Sequence, residues 1–304
     1  MKMDVKHRIF RRLVRSILAA LVAFVGPAVV HAQKAATASH QPSNEECLPN
    51  LPEPSELSAF RELFLIPGRK LSLADIPPAT MARFAEVQRV EAERAKKDWP
   101  NLCKFLAKNR DVTATGQRPH VVFLGDSITE NWEPADPTFF GAASIDRGIG
   151  GQTTSQLLLR FYPDVVALRP RIVHIMAGTN DVAGNTGPVS DATILDNVRA
   201  MIDIAQSNSI KVALASIPPA KAFFWNPALM PAARIKGLNL KLRALAAKRG
   251  AIWIDYHAKL TDAEGGLPDA YANDGVHPNR AGYAIMRPIA EQALGLAERK
   301  RNIR

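Results

Sequence analysis

Five short apolar runs follow Pro119, and stretches of helical pattern separate and follow them. The runs are "HVVFLG" (120–125), "ASIDRG" (143–148), "RIVHIMAG" (171–178), "KVALASI" (211–217) and "AIWIDY" (251–256). The helical patterns lie near 154–168, 190–208, 229–249 and 279–299. A strand that is almost continuously Val, Ile and Leu has both faces covered, and strands that alternate with helices run parallel. The spacing therefore predicts a flavodoxin-like three-layer α/β/α fold with a five-stranded parallel sheet. In such a sheet ligands bind beyond the carboxyl ends of the strands, so the loops that follow each run are where chemistry is expected.

The rest of the chain reads differently. Residues 33–54 are rich in Ala, Ser, Pro and Asn and predict a flexible leader. From Ser55 to about Asn109 good helix formers dominate, interrupted at Pro100, and "TATGQRP" (113–119) reads as a linker. Residues 33–118 are thus a leader and helical extension to an α/β domain over 119–304, which ends in the basic tail "ERKRNIR". The net charge of +10 is unevenly placed: residues 1–32 hold six Lys/Arg and one acid, half of the excess. The remaining +5 is ordinary for the length and does not call for a nucleic-acid partner.

In that first segment a basic stretch to Arg15 precedes the apolar run "SILAALVAFVGPAVV" (16–30) and the small-residue sequence "VHA". This is the pattern of a signal peptide cleaved near Ala32, with an uncleaved anchor as the alternative; after cleavage no membrane span is expected. A secreted or periplasmic location follows. Cys47 and Cys103 are the only cysteines. They read as a disulfide in that compartment, with two free thiols as the alternative, and closing the loop would stabilise by about 4 kcal/mol.

Four loops after the strands carry reactive or small residues. The first is "GDS" with Ser127, the second "RGIGGQTT" with Gly150 and Gly151, the third "AGTND" with Asn180 and Asp181. The last, "NDGVHPNRAGY", holds Asp274 and His277 three residues apart. A serine hydroxyl becomes a nucleophile when an imidazole accepts its proton, and the imidazole needs an acceptor to hold its tautomer. Asp274 and His277 can supply that pair, with Pro278 expected at the first position of the final helix. Backbone N–H groups at Ser127 and Gly151 and the side-chain amide of Asn180 can serve as oxyanion donors. Taken singly, each residue is ordinary turn or cap chemistry; their joint placement on successive strand ends is what points to a site.

This ordered set, Gly125-Asp126-Ser127-Ile128, the loop at Gly151, Gly178-Thr179-Asn180-Asp181 and Asp274-Gly275-Val276-His277-Pro278, resembles the SGNH hydrolases, the GDSL family of esterases and lipases. The resemblance spans 120 to about 290. It implies Ser127 as nucleophile, His277 as general base, Asp274 as its orienting partner, and Ser127, Gly151 and Asn180 as the oxyanion hole, with no cofactor. Ile128 stands where the family name carries Leu, and the extension before 119 lies outside the match.

Rival patterns fit less well. Gly148-x-Gly150 half-resembles a dinucleotide fingerprint, but Thr153 takes the third glycine position and the motif follows the second strand. A G-x-S-x-G elbow fails at Thr129. Asp126, Asp181, Asp274 and His277 lack the spacing of a metal site, so no metal is expected. A non-catalytic carbohydrate- or partner-binding module on the same fold is the remaining alternative. For the substrate, a small-molecule or glycan ester, Trp132 and the loop aromatics Phe223, Phe224 and Trp225 can line an acyl pocket or stack on a sugar ring, or simply be buried. The sequence shows no long apolar lid, which favours short-chain or carbohydrate acetyl esters over lipid surfaces. It leaves the oligomeric state and the position of the extension open.

Overall fold

The computed structural model describes Cys47 and residues 55–69, 76–223, 226 and 228–296. The segments expected to be a signal peptide (1–32), most of the leader and the basic tail lie outside the described residues, as do Phe224 and Trp225.

Five strands, β1 (Val121–Gly125), β2 (Ser144–Gly148), β3 (Ile172–Met176), β4 (Lys211–Ala215) and β5 (Ile252–Ile254), form one sheet of order β2-β1-β3-β4-β5. Every pairing is parallel, with Gly125 opposite both Gly148 and Met176. Successive side chains of β1 enter opposite layers, as the two-residue period of a strand requires. Val122 and Leu124 pack with Leu157, Val198 and Leu242, whereas Val121 and Phe123 pack with Trp132, Tyr283 and Met286. The two cores are the two faces of a three-layer α/β/α fold. The strand order reverses between β1 and β3, which opens a crevice at their carboxyl ends.

The helices before the sheet are α1 (Ser55–Leu65), α2 (Pro78–Ala95) and α3 (Leu106–Ala114). Short helices α4 (Ser127–Glu130) and α5 (Trp132–Ala135) follow β1, and α6 (Thr154–Leu159) follows β2. Beyond β3 come α7 (Thr179–Ala183) and α8 (Asp191–Ser207), beyond β4 α9 (Ala232–Arg249), and beyond β5 α10 (His257–Leu260) and α11 (Arg280–Ala293). All described residues belong to one compact unit, 42–304.

Three boundaries differ from expectation, each for a local reason. The helix expected over 154–168 stops at Leu159 and resumes as a π-turn, Tyr162–Val166. Pro163 has no N–H to give to Leu159 O, and beyond it Ala167 N donates five residues back, to Tyr162 O at 2.9 Å. The final helix, expected over 279–299, is interrupted after Ala293, where Gly295 takes φ 65°; residues 297–299 lie outside the described residues. At the front, α3 runs into the expected linker: the Thr113 hydroxyl donates to Asn109 O at 3.0 Å, and the turn comes at Gly116, φ 66°.

Candidate active site

Ser127 opens α4 at the tip of β1. The Asp126 carboxylate caps that helix by accepting from Ile128 N at 3.0 Å. Burial pushes the Asp126 carboxyl up to about 6, against that hydrogen bond. As the first helical residue, Ser127 has no carbonyl one turn back to receive its N–H. Two glycines let α4 sit this close to the sheet. A Cβ on Gly125 would lie 2.8 Å from Thr129 Cβ of α4, and one on Gly148 2.6 Å from Glu130 Cα. The helix is anchored from the opposite side by Tyr283, whose buried hydroxyl donates to Ile128 O at 2.7 Å.

The loop from α10 to α11 brings an imidazole to this point. Ser127 Oγ lies 2.9 Å from His277 Nε2, and His277 Nδ1 lies 2.6 Å from Asp274 Oδ2. The other carboxylate oxygen, Oδ1, accepts from Val276 N and His277 N at 2.9 and 2.8 Å, folding the loop around the acid. Gly275 takes φ 76° in that turn. The turn is therefore held by Asp274 itself. Pro278, expected to open α11, lies two residues before it; Asn279 is the cap, accepting from Ala281 N and Gly282 N. Burial alone would lower the imidazole, but the adjacent Asp274 charge more than offsets it and raises His277 above its ordinary value. Burial likewise opposes ionisation of Asp274, and the imidazole and backbone N–H groups win, holding the carboxyl below its ordinary value. A hydroxyl, an imidazole and a carboxylate in this order can move a proton off the hydroxyl.

The glycine loop faces the same point. A Cβ on Gly150 would lie 3.7 Å from Ser127 Cβ, and Gly151 holds φ 76°. Glu130 Oε2 accepts from Gly150 N at 2.8 Å. Asn180 is buried, and its orientation is set at both ends: Nδ2 donates to Gln152 O at 3.0 Å and Oδ1 accepts from Asn185 at 2.7 Å. Asp181 is committed elsewhere, accepting from the Thr154 N–H at 2.9 Å and its hydroxyl at 2.6 Å. Among the described residues no three His, Cys, Asp or Glu side chains gather closely enough to share a metal ion.

Two expected substrate contacts need correction. Trp132 is 0% exposed, stacked at 5.1 Å on Phe139 and 5.6 Å on Tyr283, so it belongs to the core behind α4. Phe223 is equally buried, in the core on the other face of the sheet. An indole or phenyl ring close in sequence to a reactive loop still follows its apolar area inward.

Sequence reasoning passed over the residues that hold the loops. Asn273, next to Asp274, donates through Nδ2 to the carbonyls of Leu63 and Phe64 at the end of α1 and of Ile66 just beyond it. Gln152 Nε2 donates to Pro100 O at 2.8 Å, which ties the glycine loop to the extension, and Gln152 Oε1 accepts from the buried Arg160. Cys47 and Cys103 are joined, with Cα atoms 5.6 Å apart. Helices α1 and α2 wall a cleft of about 1060 Å³ whose other side includes His277, Gly150 and Glu130.

Comparison with known proteins identifies the family and the fold. The model of the GDSL-like Lipase/Acylhydrolase family matches residues 123–285. The solved structure of a GDSL-like lipase from Bacteroides thetaiotaomicron is 37% identical, with TM-score 0.61 over 65% of this chain and 98% of its own. An acetylxylan esterase of Geobacillus stearothermophilus is 24% identical over 217 residues, 59% of this chain and 95% of that protein. The uncharacterized lipoprotein YqeF of Bacillus subtilis is 37% identical over 78 residues, 25% of this chain, and the match spans only 32% of the lipoprotein's length.

Proposed function

The chain belongs to the GDSL-like lipase/acylhydrolase family, the SGNH hydrolases, and from that premise we propose an exported serine esterase that works through an acyl-enzyme. One observation carries the reading: the unbroken chain of close approaches from Ser127 Oγ through His277 to Asp274.

In the proposed cycle Ser127 Oγ gives its proton to His277 Nε2 as it bonds to the ester carbonyl carbon. The carbonyl oxygen takes up the negative charge beside the Ser127 and Gly151 N–H groups and the second hydrogen of the Asn180 amide. The ester C–O bond then breaks, and the alcohol leaves with the proton from His277. Water adds to the acyl-enzyme by the same route, giving its proton to His277, and the acid departs as the serine hydroxyl is restored. No step calls on a cofactor. Short acyl groups are the favoured substrates, carbohydrate acetates among them; the similarity to an acetylxylan esterase supports that choice. Export is supported by the Cys47–Cys103 bridge and the likeness to a lipoprotein. No helix among the described residues is long and apolar enough to cross a membrane.

A fluorophosphonate probe tests the reading directly. It should label the protein once, on the peptide containing Ser127; a protein left unlabelled would instead favour a carbohydrate- or partner-binding module on this fold.

The pH profile gives a second check, because the base must be neutral to accept a proton. The folded His277 has its pKa raised above 6.5. Activity is therefore present above that raised value and lost below it, with kcat/KM falling about tenfold per pH unit on the acid side. The midpoint of this limb should lie above pH 6.5, and Asp274→Asn should move it down while slowing the reaction. A rate constant that is flat from pH 5 to 8 would count against a histidine base.

A further inference from the structure

Helices α1 and α2 lie outside the residues matched by the family model, yet α1 is fastened to the loop that carries Asp274 and His277, and α2 packs on α1. Asn273 caps the carboxyl end of α1, and Arg280 pairs with Glu62, its Nη2 donating to Oε2 at 2.9 Å. Between these two anchors the Phe64 ring meets the His277 ring edge-on, centroids 6.2 Å apart. Phe60 lies 4.8 Å from Phe64, and Phe84 of α2 lies 6.4 Å from Phe60. A row of three aromatic rings thus leads away from the imidazole along the cleft wall. Leu57, Met81 and Val87 line the same cleft.

Phe84 and Met81 are 41% and 44% exposed, a large apolar area left facing water. Unlike scattered surface hydrophobics, these residues line a concave wall that begins at a reactive group, the arrangement expected of a ligand pocket. Charged side chains, Arg61, Arg83, Lys104 and Glu130 among them, also line the cleft. The surface that starts at the imidazole, however, is the edge-to-face row of Phe64, Phe60 and Phe84, and a wall of rings suits a hydrocarbon better than a sugar's hydroxyls.

We propose that α1 and α2 build the subsite for the alcohol portion of the ester, and that this alcohol is hydrophobic. The inference rests on the esterase reading and keeps its short acyl group, but it replaces the carbohydrate alcohol, which the likeness to an acetylxylan esterase favours, with an apolar one. The direction follows from proton transfer. His277 must deliver its proton to the departing alcohol oxygen, so that oxygen and the chain attached to it pass beside the imidazole. The ring beside the imidazole is Phe64, and the row continues outward to Phe60 and Phe84.

The test compares kcat/KM for hexyl acetate, ethyl acetate, ethyl hexanoate and xylose tetraacetate. Each buried methylene contributes a factor of about 4, and with partial burial of the four added methylenes hexyl acetate should exceed ethyl acetate by about tenfold or more. Phe60→Ala/Phe84→Ala should collapse that ratio to about two- or threefold, and Phe60→Leu/Phe84→Leu, which keeps apolar bulk, should recover most of it. Three results would overturn the subsite while leaving the esterase intact. One is an unchanged ratio in an alanine variant that melts near the wild type. Another is a larger preference for ethyl hexanoate over ethyl acetate that the same variant removes, which would put the acid in the pocket. The third is a preference for xylose tetraacetate over hexyl acetate. A wild-type protein that hydrolyses none of the four would defeat the esterase reading itself.

Discussion

Ser127→Ala is expected to lower kcat for a model ester such as 4-nitrophenyl acetate by about 10⁴–10⁶-fold, the range seen when a nucleophile is taken from a working triad. The fold should be almost indifferent. Ser127 is the first residue of α4, alanine is the best helix former, and the cap belongs to Asp126, which the change leaves untouched. The side-chain bond removed is the 2.9 Å contact to His277. A drop in turnover with an unchanged melting curve would separate chemistry from folding. Retention of activity within tenfold of the wild type, measured on protein free of contaminating esterase, would remove Ser127 from the mechanism.

The largest effect on stability should come from Arg160→Ala. Arg160 is 0% exposed, and its Nη1 lies 2.8 Å from Asp164, itself 1% exposed. Nη2 donates to Gly125 O at 2.9 Å, the last carbonyl of β1, and Nε donates to Gln152. Asp164 also accepts from Asn109 of α3 at 2.7 Å, and Asn109 Oδ1 accepts from Arg147 at 2.8 Å. One guanidinium therefore holds together the end of β1, the glycine loop and the turn after α6. Removing it leaves Asp164 buried without its counter-ion, and breaking such a pair costs about 3–5 kcal/mol. Urea unfolding of the oxidised protein should show the loss as a lower midpoint. The joint change Arg160→Met/Asp164→Leu removes both charges and should recover part of it. An equal loss in the joint variant would trace the cost to packing and the Gly125 and Gln152 bonds rather than to the stranded carboxylate.

These two residues differ in how visible they are from sequence. Ser127 stands out because it follows a buried strand in a four-part pattern. Arg160 looks like any surface arginine in a helical stretch, and its burial depends on partners 4, 8 and 35 positions away. The aromatics erred in the opposite direction. Trp132 and Phe223 sit near reactive loops in sequence, but period and spacing do not tell which layer a loop aromatic enters. Both joined a core. The helices that broke within their expected spans did so at single residues, Pro163 and Gly295, acting through the backbone.

Local rules carried the reading as far as the strands, the layer architecture and the short Asp274–His277 turn, because those depend on neighbours within a few residues or on a repeating apolar period. Contacts over long stretches of chain were beyond them. Ser127 meets His277 across 150 positions, and Asn273 reaches back 210 to cap α1. Such meetings are governed by how whole layers pack, which no window of residues encodes. For that reason the chemistry of the site could be expected from the amino acids, whereas its aromatic wall became visible with the fold.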